Sequence, residues 1–274
     1  MRTTIEIEDF YSYSYRPRRR YGDSEPVHQR IESMLAAERP NFEARLREFV
    51  RFTDELLLIS RDVDREHPQA AYWLNGFLPG LDAVTLYGLV ASRQPSVFCE
   101  IGSGHSTRFA YAAKHAHSPG TAIVSIDPEP RNDISQLCDT VMRTPLQDCD
   151  LTIFERLNPG DVLFLDGSHR VLQNSDVSVF FLEILPALKS GVLVHIHDIF
   201  WPFDYPSEWA SRMYSEQYML GVLLLFGAAG IEIILGNAYI AYRTDLTSIF
   251  DRLWTAPHLA GIERTGASFW FSKR

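Results

Sequence analysis

Two apolar runs end in side chains that can move protons or hold cations. Val162-Leu163-Phe164-Leu165 leads into Asp166-Gly167-Ser168-His169, and Val192-Leu193-Val194 leads through His195 and Ile196 to His197-Asp198. A carboxylate followed three residues later by an imidazole suits general acid–base work, because a free imidazole titrates at about pH 6.5. The second pairing offers donors for a divalent ion, or else a hydrogen-bonded His–Asp pair that binds no metal. His169 has a plainer alternative too, as a histidine at a helix start that only orients Asp166. His195 and His197 alternate on an extended chain and so share one face. The expected fate of His195 is a core histidine bonded to backbone.

A third run carries different chemistry. Val97-Phe98-Cys99-Glu100-Ile101 passes into Gly102-Ser103-Gly104-His105-Ser106-Thr107, a buried strand followed by a Gly-rich turn and a helical pattern. Such glycines tighten the turn and let a ligand approach the backbone, while the helix start offers free N–H groups. A dinucleotide fingerprint would place a third glycine where Thr107 stands. Glu100, two residues before the first glycine, would repel a pyrophosphate but suits a cationic, sulfonium-bearing amino-acid ligand. A fourth run, Ile123-Val124-Ser125-Ile126, closes on Asp127, placed to accept from ribose hydroxyls.

Glu100-x-Gly102-x-Gly104 with Asp127 closing the next strand resembles the first two motifs of the class I S-adenosylmethionine-dependent methyltransferases. The resemblance covers about residues 79 to 243. It implies a cofactor pocket built from Glu100, Gly102, Ser103, Gly104, Thr107, Asp127 and Asp166, with Gln147 and Asp148 near the adenine. Within that family, the carboxylate ending the fourth strand and the pair ending the fifth resemble the metal-dependent O-methyltransferases. That branch implies a divalent metal on Asp166, His197 and Asp198, and His169 in the place of a lysine that removes the acceptor's proton beside Asp166. His197 departs from the branch: carboxylates suit magnesium, whereas an imidazole shifts preference toward manganese, iron, zinc or nickel. The implied activity is O-methylation of a small-molecule hydroxyl. The segment Phe200-Trp201-Pro202-Phe203-Asp204-Tyr205-Pro206 either walls the acceptor pocket or packs as an irregular loop. Tyr214-Ser215-Glu216-Gln217-Tyr218 repeats a pattern of the same branch without an assigned role.

These groups need a sheet to align them. Short apolar runs separated by helix-length stretches predict strands buried on both faces, hence an α/β, Rossmann-like, mostly parallel seven-stranded sheet flanked by helices. Strands are expected at 97–101, 122–126, 140–143, 162–165, 192–196, 231–235 and 268–271. Helices are expected from Gly80 to about Arg93 and over 208–226. Asn41, after Pro40, reads as the N-cap of a helix carrying Phe42, Leu46, Phe49, Val50, Leu56 and Leu57. The expected division is an N-terminal arm and helical cap over 1–78, covering the substrate side, and a cofactor-binding domain over 79–274.

The 274 residues are 46% apolar and 22% charged, an ordinary globular composition that excludes disorder and fibrous repeats. A net charge of −9 disfavours a duplex-binding surface, so a nucleic-acid partner is not expected. Tyr11, Tyr13, Tyr15 and Tyr21 surround Arg16, Arg18, Arg19 and Arg20. They could form a stacking strip for single-stranded nucleic acid, but the acidic residues that follow favour an arm folded over the domain or over a second subunit of a homo-oligomer. Cys99, Cys138 and Cys149 form no paired framework, and the most apolar stretch, 219–229, is far too short to span a bilayer. A reducing, cytoplasmic location without membrane contact is therefore expected. No G-x-S-x-G, P-loop or H-E-x-x-H occurs. The competing activities are a nicotinamide-dependent oxidoreductase, disfavoured by Glu100 and Thr107, and a non-catalytic cofactor- or nucleic-acid-binding protein.

Overall fold

The computed structural model describes residues 18–22, 24–131 and 133–274. Seven strands form one sheet: β1 (Val97–Ile101), β2 (Ala122–Ile126), β3 (Thr140–Met142), β4 (Val162–Leu165), β5 (Leu193–Ile196), β6 (Ile231–Gly236) and β7 (Phe269–Lys273). Their spatial order is β3-β2-β1-β4-β5-β7-β6. The first five are parallel, and β7 runs antiparallel between β5 and β6. All seven expected strands form, to within a residue or two at their ends. The apolar runs predict parallel strands because β1, β4 and β5 are covered on both faces; β4 and β5 are buried throughout.

Register does the positioning. Ile101 pairs with Ile126 on one side and Leu165 on the other, and Leu165 pairs with Ile196. The next residue on each strand therefore falls in one row along the carboxyl edge: Gly102, Asp127, Asp166 and His197. The chain order reverses between β1 and β4, and open parallel sheets bind ligands in the crevice at such a reversal.

Helices α1 (Gln29–Ala37), α2 (Arg39–Phe49) and α3 (Thr53–Leu58) precede α4 (Gly80–Arg93), and α5 (His105–His117) follows β1. The helical N-terminal region begins earlier than expected. His28 caps α1 by accepting from the N–H of Ile31, and Pro40 lies in the first turn of α2, where its missing N–H is harmless, so Asn41 is not a cap. Ile31, Leu35, Phe42 and Leu46 are fully buried and belong to one hydrophobic cluster with the sheet. Gly88 on α4 is where Phe49 of α2 presses in; a Cβ there would stand 2.4 Å from the Phe49 ring.

Between β4 and β5 lie α6 (Asp176–Val179) and α7 (Leu185–Ala187), joined through a π-helical turn at Phe180–Ile184. The single helix expected over 208–226 is two pieces, a 3₁₀ turn at Ser207–Arg212 and α8 (Glu216–Phe226), separated at Met213 by a left-handed residue. Tyr11, Tyr13, Tyr15 and Arg16 lie outside the described residues. Arg20 and Tyr21 are described, and their backbone N–H groups donate to Asp204 Oδ2 at 2.6 and 3.2 Å, which pins this segment to the loop after β5. Among the described residues no helix is long and apolar enough to cross a membrane.

Candidate functional site

A cleft of about 1660 Å³ opens along the carboxyl edge of the sheet. At one end, Gly102, Ser103 and Gly104 form the turn between β1 and α5. Gly102 has φ +80°, and a Cβ on it would meet the Asp166 carbonyl oxygen at 1.8 Å, so only glycine fits between these strands. Gly104 faces open space instead, with nothing within 4 Å of where a Cβ would stand. Asp127 Oδ2 accepts from the Ser103 N–H at 2.9 Å and Oδ1 accepts from the Glu129 N–H at 2.8 Å, which holds the carboxylate at the cleft wall. Gln147 lines the same wall. The residues fit an adenosyl cofactor in kind: an acidic acceptor for a ribose, and a bare glycine cradle that a side chain would fill.

Three expected cofactor residues do not reach the cleft. Glu100 is fully buried, and its oxygens accept from the hydroxyls of Ser106 and Thr107. Burial pushes its carboxyl up to about 8 against the opposing pull of those two hydroxyls. Thr107 is consumed inside the turn: its hydroxyl also accepts from the Gly104 N–H at 3.0 Å. Asp148 stands outside the wall that Gln147 lines.

The other end of the cleft is a cluster of ionisable side chains, two buried imidazoles and two partly exposed carboxylates. Asp166, His169, His197 and Asp198 line it together. His169 Nε2 lies 3.2 Å from Asp166 Oδ1 and 3.6 Å from Asp198 Oδ2. His197 Nδ1 lies 3.5 Å from both Asp166 Oδ1 and Asp198 Oδ1, and its Nε2 faces Asp82 Oδ2 at 3.4 Å. Asp82, fully buried at the start of α4, also accepts from Asn237 Nδ2 and from the N–H groups of Ala267 and Ser268. On the far side of His169, Nδ1 meets Glu216 Oε2 at 2.9 Å.

The charges of this cluster support one another. Burial opposes ionisation of Asp166, but His197 and His169 outweigh it and hold its carboxyl well below the usual carboxylate range. Burial likewise disfavours the charged imidazoles, yet hydrogen bonds from His169 to Asp166 and Glu216, and the charges of Asp166 and Asp198 around His197, hold both well above the ordinary histidine range. For Asp198 and Glu216 burial prevails, and their carboxyls lie above the usual value.

The three residues expected to hold a cation come together at this end of the cleft. Among the described residues no group of three or more His, Cys, Asp or Glu is disposed to hold a metal ion. Two carboxylates and an imidazole suit such an ion in kind; as they stand, His197 Nδ1 faces Asp166 and Asp198 and its Nε2 faces Asp82. The expected metal set of Asp166, His197 and Asp198 is thus an ion-pair network as it stands. His195 is a core residue, as expected, but its partner is a side chain: Nε2 meets the Ser268 hydroxyl at 2.8 Å and the ring stacks on Phe164 at 3.6 Å.

The aromatic loop divides between its two readings. Phe200 lines the cleft, whereas Trp201 and Tyr205 are buried and bonded to Gln217 of α8. Among the described residues the N-terminal side of the cleft is lined from Trp73, in the loop before α4, and not by α1 to α3. Sequence reasoning missed Asp82 and Glu216. For Asp82 the signal is a lone acid in a helix otherwise apolar on every side; for Glu216 it is an acid opening an apolar helix, a position commonly explained by the helix dipole alone.

Residues 99–199 match a family model described as a methyltransferase domain. No curated protein matches the chain. Among solved structures, the chain is similar to an O-methyltransferase from Bacillus cereus in complex with SAH, at 15% identity and a TM-score of 0.42, covering 89% of this chain and 100% of that one. It is also similar to the O-methyltransferase TomG of Streptomyces achromogenes, solved with SAM, at 14% identity and a TM-score of 0.40, covering 90% of this chain and 97% of that one. The matched segment runs from within β1 through the loop after β5 and holds the Gly-rich turn, Asp127 and the side chains from Asp166 to Asp198, so this part of the chain is similar to a methyltransferase domain.

Proposed function

We propose that the protein transfers the methyl group of S-adenosylmethionine to a hydroxyl oxygen of a small-molecule acceptor, with His169 receiving the hydroxyl proton. The observation that carries this reading is the joining of two unlike ends in one cleft: a glycine cradle with a ribose acceptor, and a buried imidazole held among carboxylates. The cavity, about 1660 Å³, exceeds the roughly 300–1000 Å³ of a typical single-ligand site and has room for cofactor and acceptor together.

When bound, the cofactor supplies an electrophilic methyl on a sulfonium sulfur. Asp127 accepts from the ribose hydroxyls, the open face of Gly104 lets the ligand lie against backbone, and Gln147 borders the adenine. At the acceptor end, His169 Nε2 takes the proton as the acceptor's O–H bond breaks and its oxygen bonds the methyl carbon; the S–CH₃ electron pair stays on sulfur, leaving S-adenosylhomocysteine. Asp166 and Asp198 stabilise the imidazolium that results, and Phe200, Trp209 and Tyr214 wall the acceptor. Positioning of donor and acceptor supplies most of the rate, and proton removal adds to it. No step is assigned to a metal.

The test uses methyl-labelled cofactor with a panel of hydroxyl acceptors, run with and without a chelator. Label in an ether methyl, at the same rate in both, is expected. Tight binding of a nicotinamide dinucleotide with no label transferred overturns the reading. Activity lost to chelation and restored by one divalent ion returns Asp166, His197 and Asp198 to the role of ligands.

A further inference from the structure

The loop after β4 and the start of α8 are clamped together around His169. The His169 carbonyl accepts from the N–H groups of Ser215 and Glu216, at 2.8 and 3.2 Å, so one residue of the loop caps the helix. The Val171 N–H donates to the Ser215 hydroxyl at 2.8 Å. Tyr214 lays its ring beside the imidazole, centroids 4.5 Å apart. His169 holds φ +59°, a left-handed conformation unfavourable for a side chain of this size, and these contacts keep it there. The segment Tyr214-Ser215-Glu216, which the sequence left without a role, thus surrounds one histidine.

Within this clamp Glu216 is placed unlike a structural acid. It is fully buried, one oxygen meets His169 Nδ1 at 2.9 Å, and the other, Oε1, has no hydrogen-bond partner. A buried carboxylate with one oxygen unsatisfied lowers stability, and a helix start needs no buried charge to be capped once the His169 carbonyl does so. What Glu216 accomplishes is at the ring. In the protonated ring the Nε2–H points at Asp166; once that proton is lost, a carboxylate accepting from Nδ1–H leaves the lone pair on Nε2, the nitrogen that faces Asp166, Asp198 and the cleft. Carboxylates that fix a histidine's tautomer in this way serve general bases and metal ligands alike.

We infer that Glu216 is a positioning residue for His169, holding the Nδ1–H tautomer and directing Nε2 at the acceptor hydroxyl. The inference rests on the reading of His169 as the proton acceptor. Its test compares wild-type protein with Glu216→Gln and Glu216→Asp in the full chain. The readouts are kcat, KM for S-adenosylmethionine, and the ¹⁵N shifts of histidine-labelled protein at alkaline pH, with His169 assigned by its loss in His169→Ala. Glu216→Gln is expected to lower kcat by about 10- to 1000-fold with KM for the cofactor nearly unchanged, and to lose the pure Nδ1–H signature. Glu216→Asp, which keeps the charge at a shorter reach, should recover part of the rate.

A folded Glu216→Gln with wild-type kcat, or with the Nδ1–H signature intact, overturns the inference. If Glu216→Gln does not fold, wild-type kcat in Glu216→Asp overturns it instead. Wild-type rates in His169→Ala would overturn the underlying reading, whereas an inactive His169→Ala beside a fully active Glu216→Gln overturns only the positioning role.

Discussion

The two ends of the cleft are built by opposite means. The cofactor end is backbone and small residues from one short stretch, Gly102 to Gly104, closed by a single carboxylate from the neighbouring strand. The acceptor end is side chains, drawn from α4, the ends of β4 and β5, the loop bearing His169, and α8. At the first end the cleft wall is backbone whose place is set by strand register and by a glycine that admits no substitute. At the second, strand register delivers Asp166 and His197 to the edge, but the groups that fix them come from other elements. His169 and Glu216 are 47 residues apart, and each is ordered by the other. A backbone site is rigid and electrically mild, whereas a buried charge cluster gains reactivity from low dielectric and falters when any member is removed.

Breaking one end at a time sharpens this contrast. The largest effect belongs to the acceptor end: His169→Ala should lower kcat by roughly 10²–10⁴-fold while the cofactor's Kd, measured by calorimetry, stays close to wild type. A parallel loss of cofactor affinity would mean that the ends are not separable. At the cofactor end, Asp127→Asn keeps the shape of the carboxylate but removes its charge. Hydrogen bonds to charged groups contribute about 1.5–3 kcal/mol, so cofactor binding should weaken by about 10-fold or more, with the rate at saturating cofactor little changed. Unaltered affinity would remove Asp127 from the pocket.

The smallest effect on binding and catalysis concerns Glu100, which lies behind the cofactor end without lining the cleft. Its carboxyl is raised from 4.5 to about 8 in the folded chain. A raised folded-state value favours the protonated form, so its contribution to stability is fully present below about pH 4.5 and is lost as pH climbs through about 8. Each pH unit in that window removes about 1.4 kcal/mol. Glu100→Gln, a permanent mimic of the protonated acid, should flatten this decline in denaturant unfolding measured across the window and leave cofactor affinity nearly intact. A marked loss of affinity in Glu100→Gln would instead make its charge part of the binding site.

The contrast also explains what could be read in advance. The Gly-rich turn, Asp127 and all seven strands were legible because each is written in contiguous residues: apolar runs of strand length, a glycine pair, an acid at a strand end. Asp166, His169, His197 and Asp198 were legible as strand-end groups, since parallel strands in register must deliver the residues after them to one edge. The placement of Glu100 and Thr107 behind the cleft wall was not. Spacing fixes their distance along the chain, but whether a strand side chain faces the crevice or the helix packed behind it depends on how α5 sits on the sheet.

Sequence by itself therefore determined the architecture and the row of groups along its carboxyl edge, because hydrophobic periodicity, turn chemistry and strand register are local quantities. Tertiary structure alone decided the partnerships. Asp82 faces His197 and Glu216 meets His169 only once α4 and α8 are packed against the sheet. Burial and charged neighbours then shift each group's proton affinity: burial raises the carboxyl of Glu100, and neighbouring carboxylates raise both imidazoles against it. Proximity and desolvation are properties of the packed whole, so no spacing in the chain encodes them.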